Sequence, residues 1–170
     1  PGRLDGMEAV IFSPGPGLPE EQPAMFAILE EIERRSSRGE PVPAVLGVCL
    51  GMQAIALHFG GKLFNLPAVV HGQPRKLEIL RRKHPMFSHI EEPIHVGLYH
   101  SWAVDRNSLP GCLDLLATSP GGIPMAIAHK SLPVWGVQFH PESVMTPGGP
   151  ALVENWLRFT QELNATTQKS

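Results

Sequence analysis

The sequence predicts an α/β fold whose central sheet is mostly parallel, with helices on both faces and a small antiparallel section. Two observations support this prediction. Short buried apolar runs alternate with amphipathic helical patterns at both ends of the chain, as in a sheet whose strands are connected by helices. Between these regions, two apolar runs flank the turn Ser119-Pro120-Gly121-Gly122, a pattern typical of an antiparallel strand pair.

In the first third of the chain, each of two predicted strands is followed by a predicted helix. Glu8 to Phe12 is a β-branched and aromatic strand, and the amphipathic helix that follows it covers Gln22 to Arg35. Ala44 to Val48 is a second buried strand. Its helix covers Met52 to Phe59 and ends at Gly60-Gly61, a common helix C-terminal signal.

The rest of the chain has a less regular pattern until its last quarter. Lys62 to Asp105 is predicted as short extended pieces separated by turns. Leu113 to Ala117 and Met125 to His129 are predicted to pair across the Pro/Gly turn. Val134 to Phe139 is predicted as a further strand, and Ala151 to Leu163 as a closing amphipathic helix.

Length and composition favour a single globular domain over residues 1–170. Hydrophobic residues make up 42% and charged residues 18%, and the formal net charge is -2, so neither a nucleic-acid nor an anionic-membrane partner is expected. The apolar runs are too short to cross a bilayer and the first residues lack a signal-peptide pattern, so we expect a cytoplasmic protein. With only Cys49 and Cys112 and no Cys/His cluster at metal-ligand spacing, a working thiol is favoured over a disulfide scaffold or metal site.

Cys49 lies between Gly47 and Gly51, where a buried strand passes directly into a helix. This strand–turn–helix corner is typical of a nucleophile elbow, in which small neighbours leave the reactive side chain clear of the backbone. The positive end of the helix is predicted to lower the pKa of the thiol, and the free amide of Leu50 is predicted to help stabilise an oxyanion. A buried structural cysteine is the alternative interpretation.

The segment GVQFHPES offers a general base for this thiol. His140 follows an apolar strand, and Glu142 lies two residues further on, where side chains of an extended segment point the same way. Pro141 biases His140 towards an extended conformation. The sequence therefore predicts a triad in which Glu142 orients His140 and His140 activates Cys49. Taken alone, these residues are also compatible with a turn that carries a solvated acid.

The loop SPGPG, residues 13–17, follows the first predicted strand and is stiff and poor in side chains. Gly15 and Gly17 allow a ligand to approach the backbone closely, and Pro14 and Pro16 reduce the freedom of the loop. Such a loop is suited to presenting an amide to a developing oxyanion, although Pro/Gly segments also form plain turns.

Together, SPGPG, GVCLGMQ, YHS and GVQFHPES resemble the class I, triad-type glutamine amidotransferases. The resemblance is strongest to the glutaminase subunits of anthranilate synthase and aminodeoxychorismate synthase, and it runs from about Glu8 to Phe159. It implies a three-layer, flavodoxin-like form of the α/β fold. It also implies hydrolysis of L-glutamine to glutamate and ammonia through a thioester on Cys49, with His140 as base and then acid and Glu142 orienting it.

The resemblance also implies a set of substrate-binding residues. These are Gly15, Pro16, Gly17, Leu50, Gln53, Ser101 and Trp102. The loop amides and the Leu50 amide would stabilise the oxyanion, Gln53 would contact the glutamine, and the segment after Tyr99-His100 would hold its amino-acid end through backbone groups. The alternatives are a solvated helix residue for Gln53 and a core-packing strand end for Tyr99 to Trp102.

In enzymes of this kind, the ammonia passes to a synthase subunit that binds chorismate and uses magnesium. The resemblance therefore implies two partners, L-glutamine and a chorismate-binding synthase subunit, and no cofactor or metal in this chain. His71-Gly72-Gln73 and Lys83 to Phe87 are the candidate contact segments. Anthranilate and aminodeoxychorismate are both open as products. A stand-alone Cys-His-Glu γ-glutamyl hydrolase and a regulatory subunit without a working site are the alternative functions.

The sequence departs from the family pattern in three places. Met52 stands where close relatives usually carry His, and His71-Gly72-Gln73 replaces a more usual His-Gly-Lys. Relatives also begin with a strand–helix–strand segment of roughly forty residues that has no counterpart here. We therefore expect the biological protein to be longer, because the missing strand would otherwise leave a sheet edge exposed.

Overall fold

The computed structural model describes residues 4–167, which form a mixed α/β fold. The strands are β1 Ala9–Phe12, β2 Ala44–Val48, β3 Leu63–Lys76, β4 Glu78–Ile79, β5 His95–Val104, β6 Leu113–Thr118, β7 Pro124–His129 and β8 Val134–Val137. The helices are α1 Pro23–Ser37, α2 Leu50–His58 and α3 Gly149–Thr167, and single 3-10 turns cover Pro19–Glu21, Pro85–Phe87 and Arg106–Ser108. Within the described residues, every helix is too short or too polar to cross a membrane.

The main sheet has six strands in the order β1-β2-β8-β7-β6-β4. Its parallel part consists of β1, β2 and β8, with Phe12 opposite Gly47 and Val48 opposite Val137. Because parallel strands end at the same edge of a sheet, the loops that follow these three strands meet there. That edge therefore brings together the SPGPG loop, Cys49 and the segment that contains His140.

The antiparallel section contains β8, β7, β6 and β4, and accounts for three of the five pairings in the main sheet. As predicted, β6 and β7 pair across the Pro/Gly turn. The amide of Gly122 donates to the Ser119 carbonyl (2.8 Å), which closes this turn. Since β6 runs antiparallel to β7 and β7 antiparallel to β8, the β6–β7 turn lies at the same sheet edge as the end of β8.

Helices cover both faces of the main sheet, because successive side chains of a strand point to opposite faces. Val45 of β2 belongs to a buried cluster with Leu29 and Ile32 of α1 and with residues of α2. The next residue, Leu46, packs in a second cluster with Trp156 of α3. This arrangement confirms the three-layer prediction.

Helix α2 lies unusually close to the sheet, because three glycines occupy the contact. A Cβ on Gly47 would lie 2.6 Å from the backbone of Gly51, and a Cβ on Gly51 would lie 2.5 Å from the Phe12 carbonyl oxygen. At Gly136, a Cβ would lie 3.0 Å from Cγ of Met52, which is fully buried. We call Gly47, Gly51 and Gly136 the glycine seam. Met52, which replaces the family's usual His, therefore packs in the core.

The middle of the chain differs most from the sequence prediction. Instead of short extended pieces, β3 and β5 form a long antiparallel pair that constitutes a separate two-stranded sheet. Breaks in its register, between Asn65 and Val70 and between His71 and Gln73, interrupt the alternation that a regular strand would show. The sequence pattern therefore looked fragmented although the strand continues. Strand β8 is also shorter than predicted, since it ends at Val137.

Candidate active site

Cys49 occupies the strand–turn–helix corner that the sequence predicts. Its backbone has φ 53° and ψ -101°, a left-handed conformation that is rarely adopted by a residue with a side chain. The corner is fixed on both sides, because the Cys49 amide donates to the Val137 carbonyl (2.8 Å) and its carbonyl accepts from the Gln53 amide (3.1 Å). Helix α2 begins at the next residue, Leu50.

The Leu50 amide at the start of α2 acts on the thiol in the predicted direction, but the prediction of a lowered pKa is wrong for the resting protein. Burial raises the pKa of Cys49 to about 11, because only 7% of the residue is exposed and the thiolate would lose its hydration. Hydrogen bonds from the Leu50 amide and the Gln138 side chain lower the pKa, and the negative charge of Glu142 raises it, but desolvation dominates. The thiol is therefore neutral until a base removes its proton.

His140 and Glu142 pair as predicted, but the backbone between them has a different conformation from the predicted one. The His140 carbonyl accepts a hydrogen bond from the Ser143 amide (3.1 Å), so residues 140–143 form a turn with Pro141 at its second position. The predicted extended segment is thus wrong. The turn still brings Oε1 of Glu142 to 2.6 Å from Nδ1 of His140, although the carboxylate side chain is 61% exposed.

The hydrogen bond to Glu142 sets the tautomer of His140. Because the carboxylate only accepts, Nδ1 carries the proton in the neutral imidazole and Nε2 keeps a free lone pair. Nε2 is buried and has no hydrogen-bond partner in the structure. His140 is therefore preorganised as a proton acceptor.

Tyr99 links the cysteine to the histidine. The Cys49 thiol points to the Tyr99 carbonyl oxygen (3.8 Å), and the Tyr99 ring packs edge-on against the His140 ring with 5.2 Å between centroids. The two reactive groups thus lie on the same side of the sheet edge. They do not share a hydrogen bond, so the thiol must turn from the Tyr99 carbonyl towards Nε2 before a proton can pass.

The predicted substrate-binding residues all line one cavity of about 150 Å³ beside Cys49. Its lining residues are Gly15, Pro16, Gly17, Cys49, Leu50, Gln53, Tyr99, His100, Ser101 and Trp102. A larger cavity, of about 490 Å³, lies next to residues 4–8, before β1 and at the far end of the sheet from Cys49. The smaller cavity is the candidate site, because only this one contains the thiol.

A buried hydrogen-bond network runs from this cavity to the sulfur. Nε2 of Gln53 donates to the Trp102 carbonyl (2.9 Å) and to Oε1 of Gln138 (3.2 Å), and Nε2 of Gln138 donates to Sγ of Cys49 (3.4 Å). Nδ1 of His100 also donates to the Trp102 carbonyl (2.7 Å). Gln53 is therefore buried and bonded, so the solvated-residue alternative for it is wrong.

Sequence reasoning did not single out His100 or Gln138 as functional residues. Both lie within family motifs, His100 in YHS and Gln138 in GVQFHPES. Their place beside the predicted site residues was therefore the signal that could have identified them. His100 lines the cavity, and burial lowers its pKa, which keeps the imidazole neutral near pH 7. Its Nε2 is buried without a partner.

The two segments proposed for subunit contact have different locations. His71 packs edge-on against Tyr99, with 5.4 Å between ring centroids, and therefore lies beside the candidate site. Within Lys83 to Phe87, Met86 and Phe87 are buried, and the Met86 carbonyl accepts from Asn155 of α3 (3.0 Å). Met86 and Phe87 thus belong to the core beneath α3, whereas Lys83 and Pro85 of the same segment are exposed.

The raised pKa of Cys49 leads to a testable pH dependence. In a Cys112→Ala variant, we expect the rate of alkylation by iodoacetamide to rise about tenfold per pH unit from about pH 7 to pH 10, because the thiolate fraction keeps growing below a pKa of about 11. N-acetylcysteine in the same buffers should level off earlier. Levelling of the Cys49 rate below about pH 8 would show that the resting protein holds a thiolate.

Comparison with known proteins agrees with this geometry. The family described as glutamine amidotransferase class-I matches residues 3–159. A Haemophilus influenzae protein provisionally assigned as anthranilate synthase component II is 41% identical over 155 residues, covering 91% of this chain and 76% of that protein. The aminodeoxychorismate synthase of Streptomyces griseus is 39% identical over 166 residues, which are 98% of this chain but 22% of that protein.

A solved structure extends the comparison to the fold. A Thermoplasma acidophilum protein provisionally assigned as one subunit of GMP synthase superposes with a TM-score of 0.82 at 25% identity, covering 98% of this chain and 79% of that one. The relatives do not favour a stand-alone γ-glutamyl hydrolase or a regulatory subunit without a working site. The chain belongs to the class-I glutamine amidotransferase family.

Proposed function

We propose that this chain hydrolyses L-glutamine through Cys49 and delivers the ammonia to a chorismate-binding synthase subunit. The observation that carries the proposal is the geometry at the carboxyl edge of the parallel strands. There, a buried thiol in a strained corner lies beside a histidine whose free nitrogen is held ready by a carboxylate. This arrangement fits acyl transfer to a thiol, with His140 as the base.

In the first half of the reaction, Nε2 of His140 takes the thiol proton as Sγ attacks the side-chain carboxamide carbon of glutamine. The Leu50 amide, at the free N-terminus of α2, and an amide of the Gly15 to Gly17 loop stabilise the oxyanion. When the C–N bond breaks, the nitrogen takes the proton back from His140 and leaves as ammonia. A γ-glutamyl thioester remains on Cys49.

In the second half, water attacks the thioester carbonyl and gives a proton to Nε2 of His140. The C–S bond then breaks with its electron pair on sulfur, and the proton returns from His140 to the thiolate. Glutamate leaves and the neutral buried thiol is restored. Glu142 stabilises the protonated imidazole in both halves, which its hydrogen bond to Nδ1 supports.

We propose that Gln53, Ser101 and Trp102 hold the amino-acid end of the substrate. Both hydrogen bonds recorded for Gln53 use its NH₂ group, which leaves Oε1 as the acceptor for the ammonium group of glutamine. Ser101 lies at the register break between Asn65 and Val70, where its backbone is not part of the regular β3–β5 ladder. Its amide is therefore suited to bind the substrate carboxylate.

The synthase partner is proposed from the names of the relatives, which include component II of anthranilate synthase and aminodeoxychorismate synthase. Magnesium and chorismate are assigned to that partner, and the chemistry given to this chain uses only its own side chains. Val144, two residues after Glu142, is 94% exposed and supports docking of a partner over the site entrance. We propose a cytoplasmic location, where the thiol stays reduced.

The proposal is tested by a reactive glutamine analogue and by product analysis. The analogue should label Cys49 and spare Cys112, and glutamine should protect the labelled residue. With a chorismate-aminating synthase subunit, the chain should support glutamine-dependent amination, whose product identifies the pathway. Labelling of both cysteines, or glutamine hydrolysis at full rate that no synthase subunit increases, would count against the proposal.

A further inference from the structure

Gln138 has a fully buried side chain that contacts the reactive sulfur. It follows β8, two residues before His140, and its backbone amide donates to the Met125 carbonyl (2.8 Å). Its Nε2 lies 3.4 Å from Sγ of Cys49. A buried amide is costly unless its donors and acceptor are satisfied, so these contacts fix the side chain in one position.

The orientation of this amide follows from an anchor on the backbone. The Trp102 carbonyl can only accept, so the Gln53 group that lies 2.9 Å from it is the NH₂ group. The same NH₂ group lies 3.2 Å from Gln138, which must therefore present its oxygen to Gln53. This leaves the NH₂ group of Gln138 facing the sulfur of Cys49. Gln138 is thus a donor to the sulfur, whichever form the sulfur takes.

A donor in this position distinguishes between the forms of the sulfur. A thiolate is a strong acceptor, whereas a neutral thiol or a thioester sulfur is a weak one, so the hydrogen bond strengthens as negative charge develops. Burial and the negative charge of Glu142 both disfavour a thiolate at Cys49, because both raise the pKa of its thiol. In the resting protein, the hydrogen bonds from the Leu50 amide and the Gln138 side chain act in the opposite direction and lower this pKa.

We propose that the side-chain amide of Gln138 positions the Cys49 sulfur and stabilises it as a thiolate during both halves of the glutaminase reaction. This inference rests on the proposed function for its place in catalysis. In the first half, the hydrogen bond increases the population of thiolate formed when His140 takes the proton. In the second half, it stabilises the sulfur that accepts the electron pair of the breaking C–S bond. Gln53 acts through Gln138, by fixing its orientation.

The test variant is Gln138→Met, which keeps an unbranched side chain of similar size and removes the donor. In a Cys112→Ala background at about pH 8, we expect iodoacetamide to alkylate Cys49 about tenfold more slowly than in the parent, which corresponds to a tenfold smaller ionisation constant. NMR of [¹³C]cysteine-labelled protein should show a smaller thiolate fraction at each pH. That second measurement separates ionisation from access of the reagent.

Two further variants make the result decisive. Gln138→Asn keeps a polar amide and most of the volume but withdraws the donor from the sulfur, so it should also slow alkylation. Gln161→Met, on the exposed side of α3, is the matched control and should change nothing. A parental thiolate fraction in a folded Gln138→Met or Gln138→Asn protein would overturn the inference.

Because iodoacetamide and NMR need neither glutamine nor a partner, these outcomes are independent of the proposed function. Slower alkylation in a protein that does not hydrolyse glutamine would uphold the role of Gln138 and reject the function. Conversely, normal glutamine hydrolysis in Gln138→Met, with an unchanged pH profile of kcat/KM, would uphold the function and reject the role.

Discussion

Replacing Cys49 by alanine should abolish glutamine-dependent amination while leaving amination with added ammonium salts unchanged. The expected loss in glutamine-dependent kcat/KM is at least about ten-thousand-fold, because alanine has no group that can form the thioester and the covalent route is lost. The side chain is small and buried, so its removal should leave the fold intact. The measurement is product formation in the complex with a chorismate-aminating synthase subunit, with each nitrogen source in turn.

The matched control is Cys112→Ala, since this residue is half-buried and does not line the cavity. It should retain both activities. If Cys49→Ala lost the ammonium-dependent activity as well, the residue would be required for assembly, and its assignment as the nucleophile would lose its support.

A single methyl group at Gly149 should also cause a large loss of activity. Gly149 is the first residue of α3, and a Cβ there would lie 2.7 Å from the carbonyl carbon of Pro141 and closer still to its oxygen. Either the helix or the His140 to Ser143 turn must therefore move by about an ångström. A displacement of that size in a catalytic group can cost about a hundredfold in rate, which is the expected loss in kcat/KM for Gly149→Ala.

The neighbouring glycine provides the control for that variant. A Cβ on Gly148 would meet only Cγ2 of Ile90, at an ordinary 3.5 Å, so Gly148→Ala should retain nearly full activity. Thermal unfolding of both variants would show whether strain also lowers stability, for which about 1–3 kcal/mol is expected at Gly149. Equal activity in the two variants would mean that α3 does not hold the catalytic turn in place.

The sequence was informative about the site because its chemistry is concentrated in short segments. The glycines around Cys49 predicted the corner, and the spacing of His140 and Glu142 predicted their pairing. Parallel strands end at one edge of the sheet, so placing each motif at a strand end was enough to bring the motifs together. The same local reasoning placed α1, α2 and the β6–β7 turn.

The errors arose where long-range packing decides the outcome. The pKa of Cys49 depends on how many groups from other strands exclude water from the sulfur, which a local helix argument does not include. Likewise, the β3–β5 pair joins partners from Lys76 and His95, 19 positions apart, to Leu63 and Val104, 41 positions apart, and its register breaks hide the strand pattern. Gln138 was missed for a similar reason, since its partner Cys49 lies 89 positions away in the sequence.

The glycine seam has a consequence for engineering this protein. Where Gly51 of α2 meets the Phe12 carbonyl of β1, backbone lies directly against backbone, so no side chain at position 51 can adjust this distance. Repacking the layer under α1, for example at Leu29 or Ile32, should therefore change the melting temperature without changing where the sulfur stands. The separation of α2 from the sheet is already near the smallest that atoms permit. The stability of the layer under α1 can therefore be changed while the catalytic rate stays the same.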